Sequence, residues 1–371
     1  MFLKIIVVAG ARPNFMKVAP ILAALRARKE KGSPLEILFL HTGQHYDAKM
    51  SEEFLRDLGM PEPDIHLGAG GGSHAEQTAK VLVGFERVCL EQKPDWVVVV
   101  GDVNSTVACA LSAKKLGVKV AHVEAGLRSF DWDMPEEINR LCTDVICDLL
   151  LTTDAGADEN LRREGIAAVR IARVGNTMID SLVGNLEKAR ARALPEGLRA
   201  GEYAVVTLHR PSNVDAAETL RPLMDAVMEI AGKMEVAFPM HPRTRKNLGA
   251  FGMLEQVGQA AGVRILEPLG YLDFLGLVAR SKAVVTDSGG IQEETTYLGI
   301  PCLTLRANTE RPVTCEMGSN VLIGGDYGLL REKFGDVLAG RWKVSRVPEL
   351  WDGRAAERIV DRILSANSVS C

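Results

Sequence analysis

The densest chemistry in the chain lies in Val284–Glu294, which reads Val-Val-Thr-Asp-Ser-Gly-Gly-Ile-Gln-Glu-Glu. An apolar, β-branched run enters the turn Ser288-Gly289-Gly290, and a short helical segment follows that stops at Gly299 before Pro301. Glycines at a strand-to-helix turn let backbone N–H groups approach an anion closely, and the helix N-terminus adds partial positive charge. Ser288 adds a hydroxyl. Glu294, a little over a turn along, adds a carboxylate for neutral polar groups of a ligand. Phosphate at the helix end with hydroxyls on the carboxylate suits a sugar nucleotide; an ordinary tight αβ connection has the same local sequence.

Other reactive residues fall at equivalent places. Asp102 follows Trp96–Val100, Glu124 ends Val118–Val123, His209 ends the run from Tyr203, and His241 follows Glu235–Met240. With Ser288, five apolar runs each deliver a polar residue at the carboxyl end, where ligands bind in open parallel sheets. Arg12 and Lys17 belong to the first strand-to-helix turn, where Pro13 pre-sets a helical start. Glu136 and Arg140 are four apart on one helical face, as a structural ion pair or as a carboxylate held by its own arginine. Phe274 reads either as core or as a platform for a base, and Arg311 either as a phosphate clamp or as a loop cation.

The elements that must position these residues alternate regularly. Strand-like runs are Lys4–Ala9, Leu35–Leu40, Trp96–Val100, Val118–Val123 and Leu149–Thr152, then Tyr203–Thr207, Glu235–Pro239, Val263–Leu266, Ala283–Thr286 and Cys302–Leu305. Continuous apolar strands between helices predict parallel sheets covered on both faces. Asn104-Ser105-Thr106 predicts a cap for a helix running to Gly117. Gly68–Gly72 reads as a flexible loop. The segment from Gly175 to Pro195 reads as a crossover between two Rossmann-like domains facing across a cleft. The expected division is 1–174, joined by an amphipathic helix over 354–371 docking back, and 175–353, a nucleotide-binding half.

Bulk composition narrows the class. The 371 residues are 47% hydrophobic and 25% charged, with a net charge of −4, which fits a soluble protein and points away from nucleic acid and from a polybasic membrane patch. Ile5–Ala9 is too short to span a bilayer and reads as a first strand. Seven cysteines show no CxxC or zinc spacing, so reduced thiols in a cytoplasmic protein, with no metal, are expected.

Seven motifs, taken together, carry a resemblance. They are Gly-Ala-Arg-Pro-Asn at 10–14, Thr-Gly-Gln-His at 42–45, Gly-Asp-Val-Asn-Ser-Thr at 101–106 and His-Val-Glu-Ala-Gly-Leu-Arg at 122–128. Pro-Glu-Glu-Ile-Asn-Arg at 135–140, Asp-Ser-Gly-Gly-Ile-Gln-Glu-Glu at 287–294 and Thr-Glu-Arg-Pro at 309–312 complete the set. In order and over nearly the whole chain, they resemble the non-hydrolysing UDP-N-acetylglucosamine 2-epimerases. The resemblance implies a glycosyltransferase-B-like α/β architecture, a homodimer, a UDP-sugar substrate and no cofactor. It implies Asp102, Glu124 and Glu136 as catalytic carboxylates, with His209 among the catalytic groups. Arg12, Lys17, Arg140, His209, Glu294 and Arg311 would bind sugar and diphosphate. Ser288, Gly289 and Gly290 would hold phosphate, Phe274 would contact uracil, and His241 matches a His-Pro position of the family.

Two departures bear on substrate and regulation. His241-Pro242-Arg243-Thr244-Arg245 carries two arginines and resembles relatives that act on UDP-2,3-diacetamido uronic acids. Gln44 and His45 match a region where some members bind a second UDP-N-acetylglucosamine as activator, but Gly68–His74 does not resemble the usual arginine-bearing segment. Rival classes are a glycosyltransferase of the same architecture, a sugar-nucleotide sensor and a nicotinamide dehydrogenase. Gly10-Ala11-Arg12-Pro13 lacks the G-x-G-x-x-G pattern of the last.

Overall fold

Strands form where the sequence concentrates β-branched residues, and helices alternate with most of them along the described chain. The computed structural model describes residues 2–44 and 55–368. It divides into two units, Met1–Gly184 with Glu349–Cys371, and Asn185–Pro348.

The first unit holds a seven-stranded sheet in the order β3-β2-β1-β4-β5-β6-β7. The strands are β1 Leu3–Ala9, β2 Leu35–His41, β3 Ile65–His66, β4 Trp96–Val100, β5 Lys119–Ala125, β6 Leu149–Thr152 and β7 Ile171–Arg173. Every pairing is parallel, so the strands are buried on both faces, β4 along its whole length. The second unit holds β8 Tyr203–Thr207, β9 Glu235–Pro239, β10 Val263–Leu266, β11 Ala283–Thr286, β12 Cys302–Thr304 and β13 Asn320–Leu322. Their order is β10-β9-β8-β11-β12-β13, again all parallel. Chain order reverses between β1 and β4 and between β8 and β11, the switch points outside which open α/β sheets bind ligands.

The final helix, Ala355–Ser368, places Ala356, Ile359, Val360 and Ile363 in the same apolar core as Ile5, Val7, Val98 and Val100 of the first unit. Their helical spacing makes one apolar stripe. No helix among the described residues is long and apolar enough to cross a membrane.

The structure corrects several local expectations. β3, β7 and β13 are two- or three-residue edge strands, too short for an apolar run to register. Helix Asn104–Lys115 begins after Val103, with no side-chain cap. Asn104, Ser105 and Thr106 lie inside its first turn, and the Gln44 side-chain carbonyl accepts the Ser105 N–H at 3.1 Å instead. The Gly68–Gly72 loop is tied at its base, because the Ala69 N–H donates to the Thr42 carbonyl at 2.8 Å. β5 continues through Glu124 rather than ending before it.

Candidate active site

In the first unit, the groups at the switch point are held by short-range geometry. Arg12 opens helix Arg12–Glu30 with Pro13 in its first turn. The Asn14 side-chain oxygen accepts the Gly10 and Ala11 N–H groups, both at 3.0 Å, and so shapes the turn. One turn on, buried Lys17 pairs with buried Glu124. Glu124 is the extra residue of a β-bulge: Val123 pairs with Leu151 and Ala125 with Thr152. Its φ of +71° is left-handed, a conformation that costs a non-glycine residue about 1–3 kcal/mol and persists where the surroundings over-determine it. The bulge aims a carboxylate out of the sheet at the end of β5. Beside it, Gly101 takes a left-handed φ of +66° that favours glycine, and a Cβ there would lie 3.0 Å from Lys17 Nζ.

Asp102 sits just beyond, partly exposed and paired with buried Arg140. Its carbonyl accepts from the Asn139 amide at 2.9 Å. The second carboxylate on Arg140 is Glu137, at 2.7 Å and three residues away. The ion pair considered for Glu136 therefore falls on its neighbour. Both glutamates are within helical reach of the arginine, and the helix phase turns Glu137 inward while Glu136 stays half-buried. Burial would raise the Glu137 carboxyl. The Ser129 and Phe130 N–H groups and the Arg140 guanidinium outweigh burial and hold it below the ordinary carboxylate range. Gln44 lies near this end of the sheet through Ser105; His45 lies outside the described residues.

In the second unit, Asp287 is the hub. Fully buried after β11, it accepts the His209 and Arg210 N–H groups at 3.0 and 2.9 Å, the Asn213 amide at 3.2 Å, and His209 Nδ1 at 2.8 Å. Burial pushes its carboxyl up, but His209 and these N–H groups bring it below the usual value. His209 is thereby fixed in orientation through Nδ1. Its ring centroid lies 5.7 Å from that of His241. His241 caps helix Pro242–Ala250, its Nδ1 accepting the Arg243 N–H at 3.2 Å.

Helix Gly289–Leu298 starts after Ser288 with no side-chain cap, so its first N–H groups are left without a side-chain acceptor from Ser288, the arrangement in which a helix N-terminus can take an anion. A Cβ on Gly289 would come within 2.9 Å of Glu310 Oε1 and 3.1 Å of Arg311 Nη1. Arg311 is clamped between Glu310 and Glu293, the latter at 2.8 Å. Arg306 meets Glu310 at 2.7 Å, while its Nη1 is buried with no hydrogen-bond partner among the described residues. The two arginines hold the Glu310 carboxyl far below its ordinary value despite burial. Glu294 goes the other way: burial, then the neighbouring Glu293 charge, push it up to about 8. At neutral pH it is a carboxylic acid, able to donate as well as accept. Phe274 is half-buried against the core containing Tyr203, Val205 and Val284.

A family model described as UDP-N-acetylglucosamine 2-epimerase matches residues 27–364. The chain belongs to this family. It is 42% identical to a UDP-N-acetylglucosamine 2-epimerase of Methanocaldococcus jannaschii, over 98% of this chain and 99% of that one. A crystal structure of the M. jannaschii UDP-GlcNAc 2-epimerase in complex with UDP-GlcNAc and UDP matches with a TM-score of 0.87 at 41% identity, covering 98% and 100% of the two chains. The UDP-2,3-diacetamido-2,3-dideoxy-D-glucuronate 2-epimerase of Pseudomonas aeruginosa is 41% identical over 89% of this chain and 91% of its own. A lipopolysaccharide outer core galactosyltransferase matches in fold alone, at 15% identity and a TM-score of 0.56 over 98% of this chain. This member of the epimerase family thus has the glycosyltransferase-like α/β fold expected from its sequence. Glu137, Asp287, Arg306 and Glu310 are the groups that motif reading did not single out. Asp287 had a signal, since it follows β11 directly, and Glu310 lies within the Thr-Glu-Arg-Pro motif; Arg306 had none beyond its nearness to Arg311.

Proposed function

We propose that the chain interconverts UDP-N-acetylglucosamine and UDP-N-acetylmannosamine. The observation that carries this reading is Glu124, a carboxylate forced into a left-handed bulge and paired with Lys17. Inversion at a sugar carbon needs a base on one face and an acid on the other, two roles that Asp102 and Glu124 together can fill, whereas a transferase needs a single base toward its acceptor hydroxyl. The C2 proton of a 2-acetamido sugar has no adjacent ketone, so direct removal is prohibitively slow. Breaking the C1–O bond makes C1 oxocarbenium-like and acidifies C2–H. A carboxylate takes that proton, UDP departs, and 2-acetamidoglucal forms. UDP then re-adds at C1 while a second group delivers a proton to the opposite face of C2. Asp102, Glu124 and Glu136 are the candidates for these transfers, each worth about 10²–10⁴-fold.

The nucleotide is assigned to the second unit. Ser288, Gly289, Gly290 and the helix N-terminus take diphosphate, with Arg311, Arg306 and His209 stabilising the charge that develops on it. Protonated Glu294 suits ribose hydroxyls, and Phe274 offers an edge to uracil. In the first unit, Arg12, Lys17 and Arg140 are the cations assigned to substrate binding, and His241 is a further polar group of the second unit. No metal or nicotinamide is needed for this chemistry.

A UDP-diacetamido uronic acid is the second reading, supported by the 41% identity to the P. aeruginosa enzyme. Against it, the arginines that would meet a sugar carboxylate are engaged: Arg243 donates to Asp215 at 2.7 Å and Arg245 to Glu267 at 2.7 Å. Proton NMR in D₂O separates the two. Appearance of the manno epimer with deuterium at C2 from UDP-N-acetylglucosamine supports the first; a silent spectrum with that sugar and turnover of the uronate supports the second.

We also infer a cytoplasmic homodimer. Ile138 and Val145 on helix Pro135–Ile146 and Val83 on helix His74–Gln92 are exposed, an apolar face that a second copy would cover. Light scattering showing a monomer at micromolar concentration would refute it.

A further inference from the structure

We infer that His122 is a positioning residue for the epimerisation, acting through the backbone of Asp102; this rests on Asp102 and Glu124 being reacting carboxylates. His122 lies fully buried in β5, two residues before Glu124. Its Nε2 is 2.8 Å from the Gly101 carbonyl oxygen, and its Nδ1 is 2.7 Å from Asp144 Oδ1. A carbonyl only accepts. Asp144 is also an acceptor here, taking the Gly126 N–H at 3.1 Å and the Arg128 guanidinium at 2.7 Å. Both ring nitrogens therefore donate, and the ring is an imidazolium. Its charge is balanced: Arg128 also meets Glu164 at 2.6 and 2.7 Å, so two cations face two carboxylates.

The placement of those bonds is what assigns the role. The carbonyl that His122 holds belongs to the peptide joining Gly101 to Asp102. The N–H of Gly101 is held as well, by the Val123 carbonyl at 3.0 Å. Gly101 has a left-handed φ of +66°, so the two peptides flanking its Cα, each held by one of these bonds, would turn readily without them. On the other side of the ring, Asp144 fixes Gly126, two residues past Glu124. One imidazolium braces both the turn leading into Asp102 and the segment leaving the bulge. Apolar residues of similar volume fill a core at least as stably as a buried ion pair does. The cation is thus explained by what it orients. Reacting groups misplaced by about 1 Å lose about 10²-fold in rate.

Two substitutions separate positioning from packing. In H122Q the side-chain amide nitrogen falls where Nε2 was and still donates to Gly101. In H122N it falls where Nδ1 was and reaches Asp144 only. Both remove the charge and both lower thermal stability. The expectation is that kcat of H122N falls about 10²-fold, that H122Q stays within about tenfold of wild type, and that KM is unchanged in both. Equal kcat values in the two variants, or kcat values that merely follow their melting temperatures, would overturn the inference. If H122N does not fold, wild-type protein with ¹⁵N-labelled histidine decides: both ring nitrogens should carry protons at pH 7, and a neutral tautomer would overturn it. Full turnover by D102N would instead break the underlying functional reading, whatever His122 does.

Discussion

Replacing Glu294 by glutamine should flatten the pH dependence of stability in the second unit. The buried carboxyl moves from 4.5 to about 8, so the folded chain keeps a proton that the unfolded chain gives up. The unfolded state binds fewer protons over that interval, and stability therefore falls as pH rises from about 4.5 to about 8. Each tenfold change in the ionisation constant is worth about 1.4 kcal/mol, which makes the total roughly 5 kcal/mol. Glutamine mimics the protonated acid in shape and carries no charge to lose. E294Q should match wild type near pH 5 and exceed it by a few kcal/mol at pH 9. Asp180, raised to about 6 by burial, slopes the same way in both proteins and cancels in the difference. Urea unfolding at half-unit intervals from pH 5 to 9 gives the two curves directly. Parallel curves would refute the argument, since they would mean that Glu294 ionises in the fold as easily as in the unfolded chain.

D102N should abolish turnover while leaving UDP affinity within about twofold, because it removes charge but little volume; isothermal titration with UDP and the D₂O assay check both halves, and normal turnover would remove Asp102 from the mechanism. R306M should weaken UDP binding by about 10- to 100-fold, the worth of a hydrogen bond to a charged group; unchanged affinity would return Arg306 to a packing role. G289A should also weaken UDP binding, by about 1–3 kcal/mol, because its Cβ would press on Glu310 and Arg311, and the same titration reads it.

The fold was largely legible, and where it was not the reasons are local. Apolar runs such as Trp96–Val100 and Tyr203–Thr207 coincide with β4 and β8 because strands buried on both faces leave nothing to chance in composition. β3 survives on two residues and the backbone of β2, so composition has no hold on it. The bulge at Glu124 adds one residue to a strand, and an apolar run reads the same with or without it. Asn104 has a capping residue's chemistry, yet the Asn139 and Gln77 side chains engage it instead. Asp102, Glu124, His209, His241 and Ser288 do stand at the carboxyl ends of β4, β5, β8, β9 and β11, as the apolar runs before them predicted. Which of two adjacent glutamates turns toward Arg140 depends on helix phase to within one residue, finer than spacing alone resolves.

The closing helix at Ala355–Ser368 has a consequence for how the molecule is made. It supplies Ala356, Ile359, Val360 and Ile363 to a core whose other members, from Leu3 to Val174, leave the ribosome earlier. The segment Asn185–Pro348 is continuous in sequence and can close its own core while the chain is still growing. Domains usually finish in the order of their synthesis, but here the half begun first must wait for the last residues. Until they arrive, its sheet has an unfilled apolar flank. Truncation by a few C-terminal turns would therefore harm the N-terminal half and spare the one beside the cut.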